Sequence, residues 1–211
     1  MRSYGQFCGL AKSLDVVGDR WTLLIVRELL IRGPSRYTDL LVGLPGIPTN
    51  LLADRLREME EAELLRRETL PIPAATAVYA LTPRGAALES VIGALGRWAA
   101  PLLEEPAKGD VFLPHWLVLP ARLYLIDRAP GKPPVRVEVR DRGERVTIEA
   151  AKGSVTARVG PAEKPDVVIL GPTPLAWQLL LGKIDLKQAR KAGLEFEGKP
   201  AALKRFGPAR R

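Results

Sequence analysis

The chemistry open to this sequence is limited first by what it lacks. Its 211 residues include one Cys and one His. A lone Cys8 and a lone His115 make no Cys/His set at zinc spacing, and no His-based catalytic triad can be assembled from them. Carboxylate pairs such as Asp141 and Glu144 fall in turn-like segments and read as surface charge. GKPAALKRF lacks the spacing of a phosphate loop. The expectation is no enzyme, no metal and no cofactor. A different set stands in the stretch IPTNLLADRLREM, residues 47–59: Thr49, Asn50 and Arg55. Asn can pair bidentately with adenine and Arg with guanine, so these residues suit reading base edges.

The elements that must position them follow from periodicity. Leu52, Leu56 and Met59 recur at i, i+4 and i+7 and line one helix face, while Asn50, Asp54, Arg55, Arg57 and Glu58 fall on the other. Pro48 with Thr49 or Asn50 as cap supplies the start signal. Upstream, Arg36 to Val42 forms a second short helical pattern, separated by the turn residues of GLPGIP. Two short helices across a Gly/Pro turn make a helix-turn-helix, whose second helix enters the major groove. Tyr4 to Val17 is patterned as an amphipathic helix, and Trp21 to Ile31 as a buried one. Leu64 to Thr69 and Ala77 to Leu81 are extended, and the Pro71 to Ala75 tip between them makes a hairpin wing. Thr82-Pro83 fits the cap and first residue of a helix running through Leu88, Val91, Leu95 and Trp98 to near Pro101. Residues 1–105 thus read as a mainly-α winged helix-turn-helix with a β-hairpin wing.

EEPAKGD, residues 104–110, has the composition of a linker. Beyond it Trp116 to Ile126 reads as a helix, and VRVEVRD, ERVTIEAA and SVTARVG alternate apolar and polar residues, as in an antiparallel meander with one buried face. PDVVIL adds an apolar central strand. Helices over 173–181 and 185–192, a short strand over 194–197 and a helix over 200–206 complete it. Residues 111–211 are expected to form an α+β domain, with an antiparallel sheet and helices on one face.

Charge is divided unevenly. Residues 1–105 hold 12 Lys and Arg against 13 Asp and Glu, whereas residues 106–211 hold 20 against 11, a net of +9. The basic excess lies in the half that lacks the recognition helix. No apolar run is long enough to cross a membrane, the N-terminus lacks a signal peptide's apolar core, and one Cys suits a reducing compartment. A cytoplasmic protein without membrane contact is the expectation.

Two resemblances emerge from these pieces. CGLAKSLDVVGDRWTLLIVRELL, the run from Gly33 to Leu40, LPGIP, RLREMEEAELL and VYALTPRGAAL resemble the HxlR branch of MarR-like winged-helix regulators over roughly residues 5–105. PDVVILGPTPLAWQLLLGKIDLKQARKAGLEFEGKPAALKRF resembles the sterol carrier protein type 2 fold, whose domains form an apolar tunnel for lipid-like ligands. The first resemblance implies a homodimer on a palindromic operator in double-stranded DNA. Thr49, Asn50 and Arg55 would lie nearest bases. Arg36 and Thr38 on the preceding helix, and one of Arg66 and Arg67 on the wing, would touch the backbone. Pro48 and Leu51 depart from the family's usual Ser and Lys, which leaves fewer donors. Phe7, Leu10, Leu14, Leu95 and Trp98 would form the dimer interface. Cys8 stands where the family often has a cysteine, and a sensor thiol there, with Lys12 one turn away to lower its pKa, is the alternative to a ligand switch; the bland alternative is a buried apolar Cys. The second resemblance implies a hydrophobic or acyl ligand in the C-terminal domain, in a pocket lined by Trp116, Leu119, Leu123, Trp177, Leu180 and Leu181, residues that would equally serve as plain core. A lipid-binding protein that does not read DNA is the further alternative. The sequence is therefore expected to encode a sequence-specific DNA-binding transcriptional regulator with a ligand-sensing second domain.

Overall fold

A computed structural model describes residues 3–69, 76–103 and 108–209. The chain divides into two compact units, Met1–Val111 and Phe112–Arg211.

In the first unit, helix α1 spans Gly9–Val17, α2 Thr22–Arg32, α3 Tyr37–Gly43 and α4 Thr49–Glu61. Strands β1 (Leu65–Thr69) and β2 (Ala77–Leu81) pair antiparallel, Leu65 opposite Leu81. Helices α5 (Pro83–Ala86) and α6 (Leu88–Trp98) follow, then a 3-10 turn over Ala100–Leu103. One core joins α2, α3, α4 and the wing: Ile25, Leu29, Leu40, Leu52, Leu56 and Met59 are buried together with Leu64 and Leu65. Each such side chain contributes roughly 2 kcal/mol by leaving water, and together they fix which face of α4 turns inward. Ser35 adds a bridge to the wing, its amide donating to the Tyr79 carbonyl at 3.0 Å and its carbonyl accepting from the Tyr79 amide at 2.8 Å. This unit is the expected winged helix-turn-helix.

Local details differ from the periodicity. The first helix starts at Gly9 rather than Tyr4, because Asp15 holds the preceding segment outside it. The Ser3 hydroxyl and the Tyr4 amide each donate to the Asp15 carboxylate at 2.9 Å, and the chain turns at Gly5 with φ +64°. The helix expected from Thr82 is interrupted at Ala87, between α5 and α6. Thr82 does cap it, its Oγ1 accepting from the Gly85 amide at 3.1 Å. The wing tip, 71–75, and most of the proposed linker, 104–107, lie outside the described residues.

In the second unit a 3-10 turn over Pro114–Leu117 leads into α7 (Val118–Tyr124) and β3 (Leu125–Asp127), so the helix expected from Trp116 to Ile126 is shorter at both ends. The three meander strands are β4 (Val135–Asp141), β5 (Glu144–Ala151) and β6 (Ser154–Val159), and β7 (Val167–Leu170), α8 (Thr173–Leu180), α9 (Leu186–Lys191) and β8 (Glu195–Gly198) follow. The main sheet runs β6-β5-β4-β7-β8. It is mixed rather than antiparallel as expected, because β7 lies parallel to β4. The reason is the connection: the chain leaves the β6 edge, crosses the sheet and re-enters beyond β4, which reverses the sense of the next strand. The final segment forms a 3-10 turn over Pro200–Arg205 and a strand, β9 (Phe206–Pro208), that pairs with β3.

Strand alternation separates two faces. Val137, Val139, Val146, Ile148, Val167 and Ile169 are buried on one, and α7 and α8 pack against these strands. Arg136, Glu138, Arg140, Thr147 and Glu149 fall on the other. Glu138 is buried there and accepts from the Ala162 amide of the crossover at 2.6 Å, so the connection that makes the sheet mixed also covers its polar face.

Arg205 closes this unit. Its Nε and Nη2 donate to the Asp127 carboxylate at 2.7 and 2.8 Å, and its Nη1 donates to the Pro133 carbonyl at 2.8 Å. Asp127 also accepts from the amides of Ala129 and Gly153. These hydrogen bonds, Arg205 first, hold its carboxyl at about 2. A depressed carboxylate stabilises the fold above its unfolded value of about 3.9, and that contribution is lost as pH falls through about 2. Asp127→Asn should therefore lower the stability of the second unit by about 3 kcal/mol at neutral pH. Followed by the amide signals of β4 and β5 during urea unfolding, the difference between wild type and variant should shrink between pH 4 and pH 2. A difference independent of pH in that window would show that the pair is not what closes the unit.

Candidate nucleic-acid interface

The recognition helix is presented by its flanks. Pro48, with φ −65° and ψ 142°, is the residue at the helix start, and its carbonyl accepts from the Leu52 amide at 3.0 Å. The cap expected from Thr49 or Asn50 is thus supplied by neither side chain: both lie inside the first turn, exposed. Tyr37 ties the two helices of the motif together, its hydroxyl donating to the Thr49 carbonyl at 2.6 Å. Arg36 precedes α3, and its amide donates to Asp39 at 3.1 Å, which satisfies an otherwise orphan end of that helix.

Beneath the motif is a feature the sequence reading missed. Glu28 of α2 is completely buried and is paired with Arg27 at 2.9 Å and Arg32 at 3.7 Å. A Cβ on Gly43, the last residue of α3, would stand 2.3 Å from its carboxylate. Gly43 therefore lets α3 approach α2 as closely as it does, immediately before the turn into α4. The only signal in the sequence was a Gly read as turn punctuation.

The residues expected to meet DNA divide into two groups. Arg36, Thr38, Thr49, Asn50 and Arg67 are exposed, and among the described residues their side chains have no ion pair. Arg55 and Arg66 are occupied. Arg55 is paired with Glu58 at 2.6 Å and Asp19 at 3.4 Å, bracing α4 against the turn before α2. Arg66 is paired with Glu68 two residues along the same strand face. Arg57 is likewise paired, with Asp54 at 3.2 Å. The structure thus brings the uncommitted donors to the N-terminal end of α4, the start of α3 and β1.

Elsewhere in this unit, Phe7, Leu10, Leu14, Leu95 and Trp98 are all exposed, Trp98 to 76%. Cys8 is exposed too, not buried among apolar neighbours. It precedes the first turn of α1, and hydrogen bonds from the Ala11 and Leu10 amides lower its pKa. Lys12, expected to do so, instead faces Asp15 at 3.9 Å.

In the second unit Leu119 and Leu180 are buried, and Trp116, Leu123, Trp177 and Leu181 are half-buried. Two clefts, of about 320 and 450 Å³, are lined instead by Arg140–Arg145 and by residues of the polar sheet face such as Arg136, Glu149 and Arg158. Asp141 and Glu144, read as surface charges, have structural work: Asp141 accepts from the Thr173 amide and hydroxyl at 2.9 Å at the start of α8. Glu144 accepts from the amide of the buried His115 and faces its Nδ1, both at 3.0 Å. Among the described residues no group of three or more His, Cys, Asp or Glu could hold a metal ion, and no helix is long and apolar enough to cross a membrane.

A helix-turn-helix with exposed polar groups on the first turn of its second helix, followed by a two-stranded wing, defines the winged-helix class of nucleic-acid-binding folds. The sequence profile of HxlR-like helix-turn-helix proteins matches residues 16–106. The HTH-type transcriptional regulator YodB of Bacillus subtilis (strain 168) is 33% identical over 95 residues, 45% of this chain and 84% of YodB. The uncharacterized HTH-type transcriptional regulator sll1512 of a Synechocystis strain is 32% identical over 101 residues, 48% of this chain and 74% of that protein. A solved structure of the reduced form of YodB is 33% identical, covers 50% of this chain and 100% of that one, and superposes with a TM-score of 0.41. The chain belongs to the HxlR-like helix-turn-helix family.

Proposed function

We propose that this protein is a sequence-specific DNA-binding transcriptional regulator that acts as a homodimer on a palindromic operator. The observation that carries the reading is the first turn of α4, where Thr49 and Asn50 stand exposed and uncommitted on a helix whose opposite face is locked into the core. Family membership and the regulator names of the matched relatives support it. Asn50 reads a base edge, while Arg36 and Arg67 neutralise phosphates. A hydrophobic or acyl ligand in the second unit is not needed for this reading, and charged residues such as Arg140, Arg145 and Arg136 line the clefts described there.

Fluorescence anisotropy tests the readout, with DNA from upstream of the protein's own gene against scrambled DNA of equal length. Wild type should favour the upstream DNA with a steep negative slope in log salt. Asn50→Ala should cost about 1–3 kcal/mol of discrimination, whereas Arg36→Ala should weaken both DNAs alike and reduce the slope by about 1. Equal wild-type affinity for the two DNAs would falsify sequence-specific binding there.

The homodimer is supported by the exposed apolar residues Phe7, Leu10, Leu14, Leu95 and Trp98, since large apolar side chains left in water favour burial against a partner. Two copies would set their recognition helices in successive major grooves about 34 Å apart. Trp98→Glu should sediment as a monomer and lose most operator affinity; a dimer of unchanged stability would remove this interface.

A second reading is favoured by Cys8 itself. An exposed thiol with a lowered pKa meets both requirements of a redox sensor. Diamide would take two electrons from two Cys8 thiolates of a dimer and leave an intermolecular disulfide. Wild type should then change operator affinity on diamide treatment and recover with dithiothreitol, while Cys8→Ser should not respond. An oxidant-insensitive wild type rules the reading out.

A further inference from the structure

We propose that the second unit contacts the phosphates of duplex DNA through a lysine ridge on and beside α9, and so adds sequence-independent affinity to the few phosphate contacts of the first unit. This rests on the DNA-binding reading above.

The starting point is the division of charge. Unit Met1–Val111 holds 13 Lys and Arg against 14 Asp and Glu, and unit Phe112–Arg211 holds 19 against 10. A helix-turn-helix unit with a net charge of −1 has little field with which to attract a polyanion. Several of its arginines, Arg27, Arg55 and Arg66 among them, are already held by carboxylates.

The second unit disposes of its acids internally. Glu149 holds Arg136, Glu138 holds Arg140, and Asp127 holds Arg205. Arg136, Arg140 and Arg205 are therefore held by carboxylates, and the exposed lysines stand out as uncommitted cations. Lys183, Lys187 and Lys191 are exposed and have no partner among the described residues. Their spacing of four places Lys187 and Lys191 on one face of α9, about 6 Å apart along its axis, with Lys183 entering from the turn before. Arg190 adds a fixed charge, its guanidinium lying 5.3 Å over the Phe196 ring. Asp185, the one acid within this stretch, is engaged in capping α9, accepting from the Gln188 amide at 2.7 Å.

A row of cations without counter-carboxylates suits a row of phosphates, to which lysine offers a mobile point charge. A bilayer surface is the poorer match, because surface-binding helices insert exposed apolar residues between their lysines. Here Ile184 and Leu186 are half-buried, and every strongly exposed large hydrophobic described lies at or before Val111.

The test uses the full chain and two charge-matched triple variants. One is Lys183→Gln/Lys187→Gln/Lys191→Gln. The other is Lys132→Gln/Lys152→Gln/Lys164→Gln, which removes exposed lysines from turns elsewhere on the unit. Anisotropy is read between 50 and 200 mM salt on upstream and scrambled DNA. For the ridge variant the slope of log affinity against log salt should become shallower by about 2.7, at about 0.9 per contact. Its loss of affinity across that range should be about 40-fold smaller than that of wild type, with the ratio between the two DNAs unchanged. The control variant should keep the wild-type slope. A wild-type slope in the ridge variant overturns the proposal, as does equal flattening in both variants, which would assign the effect to total charge. A wild-type slope combined with lost binding to phosphatidylserine vesicles overturns it in favour of a lipid surface. Equal affinity of wild type for both DNAs removes the sequence-specific reading, while the slopes still decide the ridge.

Discussion

A buried carboxylate sets the geometry on which the DNA-facing surface depends. Glu28 sits in the core of the first unit, where an unpaired charge would be costly, and Arg27 and Arg32 make it tenable from the rim. Its side chain fills the space that a larger residue at Gly43 would need. The end of α3 therefore rests directly on α2, and the turn from Leu44 to Pro48 starts from a fixed point. Tyr37 then fixes the other end of that turn through the Thr49 carbonyl. A recognition helix can present Asn50 in one register only if both its entry and its buried face are determined. Here the entry is polar and the face is Leu52, Leu56 and Met59.

The second unit meets the same difficulty, charge beneath cover, in another way. Its sheet has one apolar and one charged face, and the charged face is spanned by the crossover into β7. Glu138 is buried there because Arg140 and the Ala162 amide satisfy it. The crossover that breaks the antiparallel pattern is thus also the segment that makes the charged face compatible with a folded interior.

Much of this was legible in the residues. The buried face of α4, the two strands of the wing and the meander all follow from period and turn chemistry, because each involves neighbours in sequence. The exposed apolar residues of α1 and α6 were legible for the same reason, although Phe7 belongs to an extended segment. What escaped reading was partnership over distance. Nothing local to Asp15 shows that it will hold Tyr4, and nothing in Arg55 shows that Asp19 and Glu58 will occupy it. Whether a strand inserts parallel or antiparallel depends on the route of the preceding chain, not on its own alternation, so β7 was recognisable as a strand but not in its direction. Candidate donors could therefore be chosen by residue type, while their division into committed and uncommitted groups needed the fold.

The Asp127–Arg205 pair also bears on the order of events in folding. Its partners are 78 residues apart, and closing such a loop costs about 4 kcal/mol of chain entropy, beyond a constant, before the contact returns anything. The helices and hairpin of the first unit are assembled from far shorter loops, and domains rich in local contacts fold faster. The first unit can therefore be native while β3 still waits for β9. During that interval the second unit carries an unpaired strand edge beside an open apolar sheet, and it is this unit, rather than the helix-turn-helix unit, that is exposed to misassembly between copies.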